Sequence, residues 1–443
     1  MTRPEDRSNP PEQAGEEQAA RASGSSAATK MDDSQDGGAH QNAPASAEEL
    51  GEDTSMEEEA QHSQGPFAAM PKWALWILAF VTLYFLIVAI GVIGDGFSAV
   101  GEDTAEAAFE FATNPFVGLF VGILATVLVQ SSSTTTAITV AAVGSGALPV
   151  ETAVPVIMGA NIGTTVTNTL ASLGFAGNRQ EFRRAFSAAL VHDFYNMLAV
   201  VILFTVEVIF QPIQRSAKWV ADQLYGTVLP DPDDADFISA ITDPVADLIG
   251  PEGLAGLLGN DIAVGVGSII LGVVMIFVAI YLLGKILQAI MVGAARKYLK
   301  KAVGGNPIVS MGVGAGITVL IQSSSVTTST LVPFAGAGTL STKDIYPVTL
   351  GANLGTTATG LIAALAVTGG GGLDALTIAL VHTLYNLYGI IIIYGLPFLR
   401  NLPVMAANAM GAIVADRRWV APAWVLTLWV ALPALVVGVV AFT

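Results

Sequence analysis

The sequence predicts an all-α polytopic membrane protein made of two inverted-topology repeats, each a re-entrant helical hairpin followed by transmembrane helices. Three observations predict it: scarce charge, apolar runs of spanning length, and one long internal duplication. Only 12% of the 443 residues are charged and 53% are hydrophobic, whereas a soluble domain carries about 25% charge to cover its surface. Mean hydropathy is +0.62. A helix needs about 20 apolar residues to cross a hydrocarbon layer of roughly 30 Å. Runs of that kind recur from residues 73–93 to residues 419–442.

The net charge of −17 is unevenly spread, for residues 1–70 hold 15 acidic and 4 basic side chains. Such a segment buries too little apolar surface to offset its ordering entropy. We therefore expect an acidic disordered tail over 1–70 and a membrane domain over 71–443. The tail lacks a basic start followed by a short apolar core, so no cleaved signal is expected. There are no cysteines, which excludes disulfides, thiolate metal sites and cysteine nucleophiles. His40, His62, His192 and His382 show no zinc-like spacing. No nucleophile–base–orienter set appears, so the sequence does not read as an enzyme, and no cofactor or nucleic-acid partner is expected.

The duplication sets the organisation. Residues 114–168 and 306–360 align without a gap at a displacement of 192, with 27 of 55 positions identical. The match resumes at a displacement of 190, where Val191-His192-Asp193-Phe194-Tyr195-Asn196 faces Val381-His382-Thr383-Leu384-Tyr385-Asn386. Repeat 1 is placed at about 114–210 and repeat 2 at about 306–398. A linker span runs over about 262–290 and a terminal span over about 419–442.

In each copy Gln-Ser-Ser-Ser interrupts an apolar run, at 130–133 and at 322–325. The flanking segments are too short to span, so two short helices joined at a polar tip are expected, with a single kinked span as the competing reading. Irregular backbone at that depth is tolerated only inside protein or against a water-filled cavity. Further on, Gly159-Ala160-Asn161-Ile162-Gly163-Thr164-Thr165 is matched by Gly351-Ala352-Asn353-Leu354-Gly355-Thr356-Thr357, and a Gly-flanked Asn suggests an unwound turn with free carbonyls.

Lysine and arginine set the orientation. Arg179, Arg183 and Arg184 form one short loop cluster; Lys285, Arg296, Lys297, Lys300 and Lys301 form another; Arg400, Arg417 and Arg418 form a third. With all three inside, the acidic segments 102–110 and 231–252 lie outside and the tail is cytoplasmic. Spans are then expected near 73–93, 152–173, 186–210, 262–284, 344–366, 374–398 and 419–442. An odd number of crossings separates the hairpins, so the repeats face opposite ways, as in many secondary transporters.

The tips suggest a chemistry. A helix opening just after Gln130-Ser131-Ser132-Ser133 presents unpaired N–H groups and its positive dipole end, and serine hydroxyls add rotating donors. Two such tips would hold an oxyanion without a buried cation, with Ser131, Ser132, Ser133, Ser323, Ser324 and Ser325 as the expected ligands. The oxygens of Gln130, Gln322, Thr134, Thr164, Asn161, Asn353 and Thr356 suit a hard monovalent cation such as sodium, and few carboxylates argues against divalent metals. Asp193 is the clear acid inside a span, hence a candidate for cation binding or charge balance. Its repeat partner is Thr383, so the shared scaffold does not require it. Hydroxyl and amide donors discriminate weakly among oxyanions, so sulfate, a small carboxylate or a passive channel stay open on these residues alone.

The two Gln-Ser-Ser-Ser tips, the block from Gly159 through Asn168, Phe182-Arg183-Arg184-Ala185-Phe186 and Val191-His192-Asp193 resemble the type II sodium–phosphate cotransporters, including their bacterial members. The resemblance covers about residues 114–386. It implies sodium-driven uptake of inorganic phosphate by alternating access, with both tips contributing to phosphate and sodium sites, in the cell (inner) membrane. Asp193 matches the family position whose acid distinguishes electrogenic from electroneutral members, so net inward movement of positive charge is implied. The family's animal members carry a large disulfide-bonded, glycosylated outer loop. Here residues 211–260 are shorter and cysteine-free, and the acidic tail has no counterpart.

Overall fold

A computed structural model describes residues 67, 70–101, 104, 114–164, 166–225, 236–367 and 371–442. The expected tail therefore lies outside the described residues apart from Phe67 and Met70, as do Thr165 and most of the acidic stretch 102–110. Among the described residues all regular elements are helices. Helix α1, Lys72–Val100, ends at Gly101, where φ of +88° suits a residue without a Cβ.

The first copy starts at Asn114, whose side chain accepts a hydrogen bond from the Phe116 amide (3.0 Å) with Pro115 at the first helical position. Helix α2 (Pro115–Val129) stops at Gln130 in the left-handed region, and Ser131 caps α3 (Ser132–Gly144). Helices α4 (Val150–Gly163) and α5 (Val166–Ser172) follow. Asn178 then caps α6, Arg179–Phe210, which contains a π-helical turn at Val200–Phe204. Buried Glu207 accepts from the Ile213 and Gln214 amides (2.7 and 2.9 Å), satisfying the start of amphipathic α7 (Pro212–Leu224). Helix α8 (Asp236–Ile249) and the 42-residue α9 (Asp261–Ala302) lead to the second copy.

There the pattern recurs. Asn306 and Pro307 open α10 (Pro307–Ile321), Gln322 is left-handed, and Ser323 caps α11 (Ser324–Ser329). Next come α12 (Val332–Gly336), α13 (Thr342–Leu365) and α14 (Gly372–Tyr394), whose π-turn at Ile390–Tyr394 sits 190 residues beyond the first. Helices α15 (Pro397–Asp416) and α16 (Val420–Val440) complete the chain. Among the described residues seven helices are long and apolar enough to cross a membrane: α1, α6, Asp261–Met291 of α9, α13, α14, α15 and α16. The chain is a multi-pass membrane protein.

Small residues hold each pre-tip helix against a later helix of its own copy, α2 against α4 and α10 against α13. A Cβ on Gly122 would strike the Val156 carbonyl and one on Gly159 the Leu119 carbonyl; in the second copy Gly314 and Gly351 meet Val348 and Met311 in the same way. Close backbone approach through small residues is how helices associate where lipid removes the hydrophobic drive.

Four expectations need correction. The span near 152–173 is two helices, α4 and α5, interrupted at Thr164. The Gly-flanked Asn is helical in both copies, Asn161 inside α4 and Asn353 inside the unbroken α13; these glycines serve close packing. The region from 399 to 418 is not a loop but α15, a helix long and apolar enough to cross, so Arg400 and Arg417 stand at its opposite ends. Arg400, Asn401, Pro403 and Asn408 had interrupted its apolar run. Finally, the segment after the second tip is two short helices, α11 and α12, where the first copy has the single helix α3. Pro333 occupies the position of Ala141 and cannot donate to the Ser329 carbonyl, so α11 ends at Ser329.

Candidate functional site

Both tips adopt one conformation. Gln130 and Gln322 have φ of +57° and +55°, unusual for residues with a Cβ. Each turns its amide back to its own helix, Gln130 Nε2 to the Val127 carbonyl and Gln322 Nε2 to that of Val319. Ser131 and Ser323 share φ of −151°, and their hydroxyls accept from the Thr134 and Val326 amides (3.2 and 3.3 Å). The chain reverses tightly at each tip, because Thr126 Oγ1 donates to Thr135 Oγ1 (3.1 Å) and Thr318 Oγ1 to Thr327 Oγ1 (2.9 Å). The serine cap uses the third amide of α3, so the amides of Ser132 and Ser133 have no intrahelical partner.

The two tips lie within one side chain of each other. Thr359 on α13 donates to Gln322 Oε1 at 2.8 Å and stands 3.4 Å from Ser133 Oγ. Its counterpart Thr167 donates to Gln130 Oε1 at 3.3 Å. Ser132, Ser133, Thr134 and Ser324 are buried, while Ser131, Ser323 and Ser325 are half-buried. The structure thus brings 130–134 and 322–325 together around Thr359.

Beside the tips, the repeats exchange partners. Asn161 Oδ1 lies 3.3 Å from His382 Nε2 and accepts from Asn386 Nδ2 at 3.2 Å. Reciprocally, Asn353 Oδ1 lies 2.8 Å from His192 Nε2, and Asn353 Nδ2 donates to Asn196 Oδ1 at 2.9 Å. Asn161 Nδ2 also reaches Asn196 Oδ1 at 3.3 Å, closing a buried network of four amides and two imidazoles. A buried amide left alone costs about 1–3 kcal/mol, so such a network specifies how the copies meet. Asn161 and Asn353, expected as cation ligands, occupy this network. Thr164 and Thr356 donate to carbonyls one turn back (3.5 and 3.0 Å), keeping lone pairs free to accept. Thr134 Oγ1 donates to Ser131 Oγ at 2.9 Å. Asp193 is fully buried on α6, three residues before Asn196.

Residue-by-residue reading missed Thr359, Thr167, Asn196 and Asn386. The signal was present: Thr167 and Thr359 are identical at the 192 displacement, and Asn196 and Asn386 at 190.

Fold and site together define an all-helical, multi-pass membrane protein whose duplicated halves share one polar centre. Comparison with known sequences makes the class specific. The chain belongs to the Na+/Pi-cotransporter family, whose pattern matches residues 85–221 and 275–414. It is 34% identical over 424 residues to the rat sodium-dependent phosphate transport protein 2A, covering 81% of this chain and 66% of that protein. It is 32% identical to the sodium-dependent phosphate transport proteins 2B of Pongo abelii and Homo sapiens, over 82% of this chain in each case. The chain spans 65% and 64% of those two relatives. No solved structure matches it.

Proposed function

We propose that this protein is a sodium-coupled symporter that imports inorganic phosphate across the cell (inner) membrane by alternating access, with its acidic tail in the cytoplasm. The observation that carries the reading is the meeting of the two Gln-Ser-Ser-Ser tips at Thr359. The names of the relatives, sodium-dependent phosphate transport proteins, support it.

Phosphate is held by the hydroxyls of 131–133 and 323–325 and by the free amides of Ser132 and Ser133 at the start of α3. Neutral donors suit a carrier, because a buried lysine or arginine would hold the anion too tightly to release it. Sodium takes oxygens from Gln130, Gln322 and Thr134, with Thr164 and Thr356 contributing lone pairs and Asp193 supplying compensating charge. Asn161 and Asn353 serve the junction between repeats and shape the cation site from behind. The repeats lie antiparallel, a relation supported by the reciprocal exchange of Asn161 and Asn353 with the imidazoles and amides of the other copy.

Asp193 makes transport electrogenic. Each net charge carried inward gains about 2.3 kcal/mol per roughly 100 mV. A tenfold sodium gradient adds about 1.4 kcal/mol per ion. Two or three ions then concentrate phosphate by several orders of magnitude.

The test is radiolabelled phosphate uptake into proteoliposomes holding the full chain. Uphill accumulation that needs an inward sodium gradient, competed by arsenate and barely by sulfate, is the expected result. Sodium-independent equilibration means a passive pathway, and stronger competition by sulfate means another anion. Asp193→Gly is expected to keep uptake while moving less charge per phosphate; an unchanged ratio makes Asp193 structural.

A further inference from the structure

A polar cavity of about 700 Å3, with no tip residue in its lining, lies where the starts of α6 and α13 meet α15. Arg183 and Arg184 line it from α6, Lys343 and Thr342 from the first turn of α13, Ser341 from its cap, and Asn408 from α15, with Thr342 Oγ1 donating to Asn408 Oδ1 at 3.0 Å. The Arg184 guanidinium lies against Gly338, whose φ of +82° and missing Cβ leave room for it.

The carboxylates nearby are committed elsewhere. Glu181 accepts from Asn178 Nδ2 at 2.8 Å, Asp416 pairs with Arg179, and Asp344 accepts from the Ser341 amide and hydroxyl at 2.9 and 2.6 Å. The cavity therefore gathers three cations with no carboxylate among its lining residues.

The duplication provides an internal control. At the matching positions of the other copy Arg183 becomes Leu373, Arg184 becomes Asp374, and Lys343 becomes Glu151. Glu151 there accepts from Gln214 Nε2 at 3.0 Å. The shared scaffold thus folds without these cations. A bias of lysine and arginine toward one side of the membrane explains their sign. It does not explain why two helices aim them into one cavity alongside hydroxyls.

We propose that this pocket is a second oxyanion site, binding a phosphate group through forked contacts from Arg183 and Arg184, with Lys343 as a point charge. Two sources supply that chemistry: free inorganic phosphate, or the phosphate of an anionic lipid headgroup. The pocket does not depend on the proposed role of the tips.

The experiment measures acylation of Lys343 by an amine-reactive reagent, using the full chain in a phosphate-free detergent and mass spectrometry as the readout. Inorganic phosphate and a soluble short-chain phosphatidic acid are compared with chloride at matched ionic strength. Reagent meets only the unoccupied fraction, so ligand at about ten times its Kd slows the reaction about tenfold, while Lys285 reacts at an unchanged rate. Protection by inorganic phosphate assigns the site to the free anion, and protection by phosphatidic acid alone assigns it to a headgroup. Arg183→Gln/Arg184→Gln, both exposed positions, abolishes protection while the protein stays monodisperse. A variant with alanine at Ser132, Ser133, Ser324 and Ser325 keeps it. Absence of protection by either ligand, protection that survives the arginine substitutions, or protection lost in the tip variant overturns the proposal.

Discussion

The two copies agree most closely where backbone geometry is unusual and diverge where one side chain changes. Their tips share left-handed glutamines, serine caps and threonine pairs across the turn. Behind the tips the likeness ends. Thr328 Oγ1 bonds Asn168 Oδ1 at 2.9 Å, but the counterpart of Asn168 is Gly360, and Thr136 Oγ1 is buried without a partner. Helix α3 is continuous where Pro333 splits α11 from α12. The shared features are those in which both copies touch a common centre. The divergent ones lie one or two turns away, where each copy has its own neighbours. Duplication supplies a paired site, and later substitution makes its supports unequal.

The comparison breaks most visibly at the tips. Replacing Ser132, Ser133, Ser324 and Ser325 with alanine removes donors that each contribute about 1.5–3 kcal/mol toward a charged ligand. Phosphate uptake in proteoliposomes is then expected to fall below detection. Either tip alone should produce a loss of at least about tenfold, since one site draws on both. Full activity with one tip replaced would confine the site to the other.

The amide–imidazole network comes next. Asn161→Ala and Asn353→Ala each strand buried partners and should each cost about 1–3 kcal/mol, lowering Tm by similar amounts. The double variant should lose less than the sum, because the two residues share Asn196. Strict additivity would show two independent contacts.

A smaller effect separates the copies. Thr328→Val leaves the Asn168 carbonyl oxygen without its partner and should cost about 1 kcal/mol, whereas Thr136→Val removes an unpaired hydroxyl and should be neutral or slightly stabilising. Equal losses in thermal unfolding would contradict the asymmetry. Smallest in stability is Pro333→Ala. It restores a donor to the Ser329 carbonyl, and amide hydrogen exchange over residues 330–335 should slow as α11 and α12 join. Unchanged exchange would place the cause of the break elsewhere.

Much of this was legible in the sequence because the signals were local. Apolar runs marked α1, α6, α9, α13, α14 and α16, and Gln-Ser-Ser-Ser marked both hairpins. What escaped depends on partners distant in the chain. Asn161 was read from its small, polar sequence neighbours, and nothing local shows that His382 and Asn386 of the other copy reach its oxygen. Thr359 carries no local motif, and only the fold puts it between the tips. Helices α7 and α8 were hidden because they bury one face of a short segment, and neither is an apolar run of spanning length.

Because the chain has no cysteine, the junction of the tips can be read directly by cross-linking. Ser133→Cys with Thr359→Cys pairs two positions whose hydroxyl oxygens lie 3.4 Å apart, one from each copy. Mild oxidation of the folded protein is predicted to join them and to stop phosphate uptake, and reduction to restore it. A folded protein in which this pair stays unlinked, or links while uptake continues, would contradict a shared site.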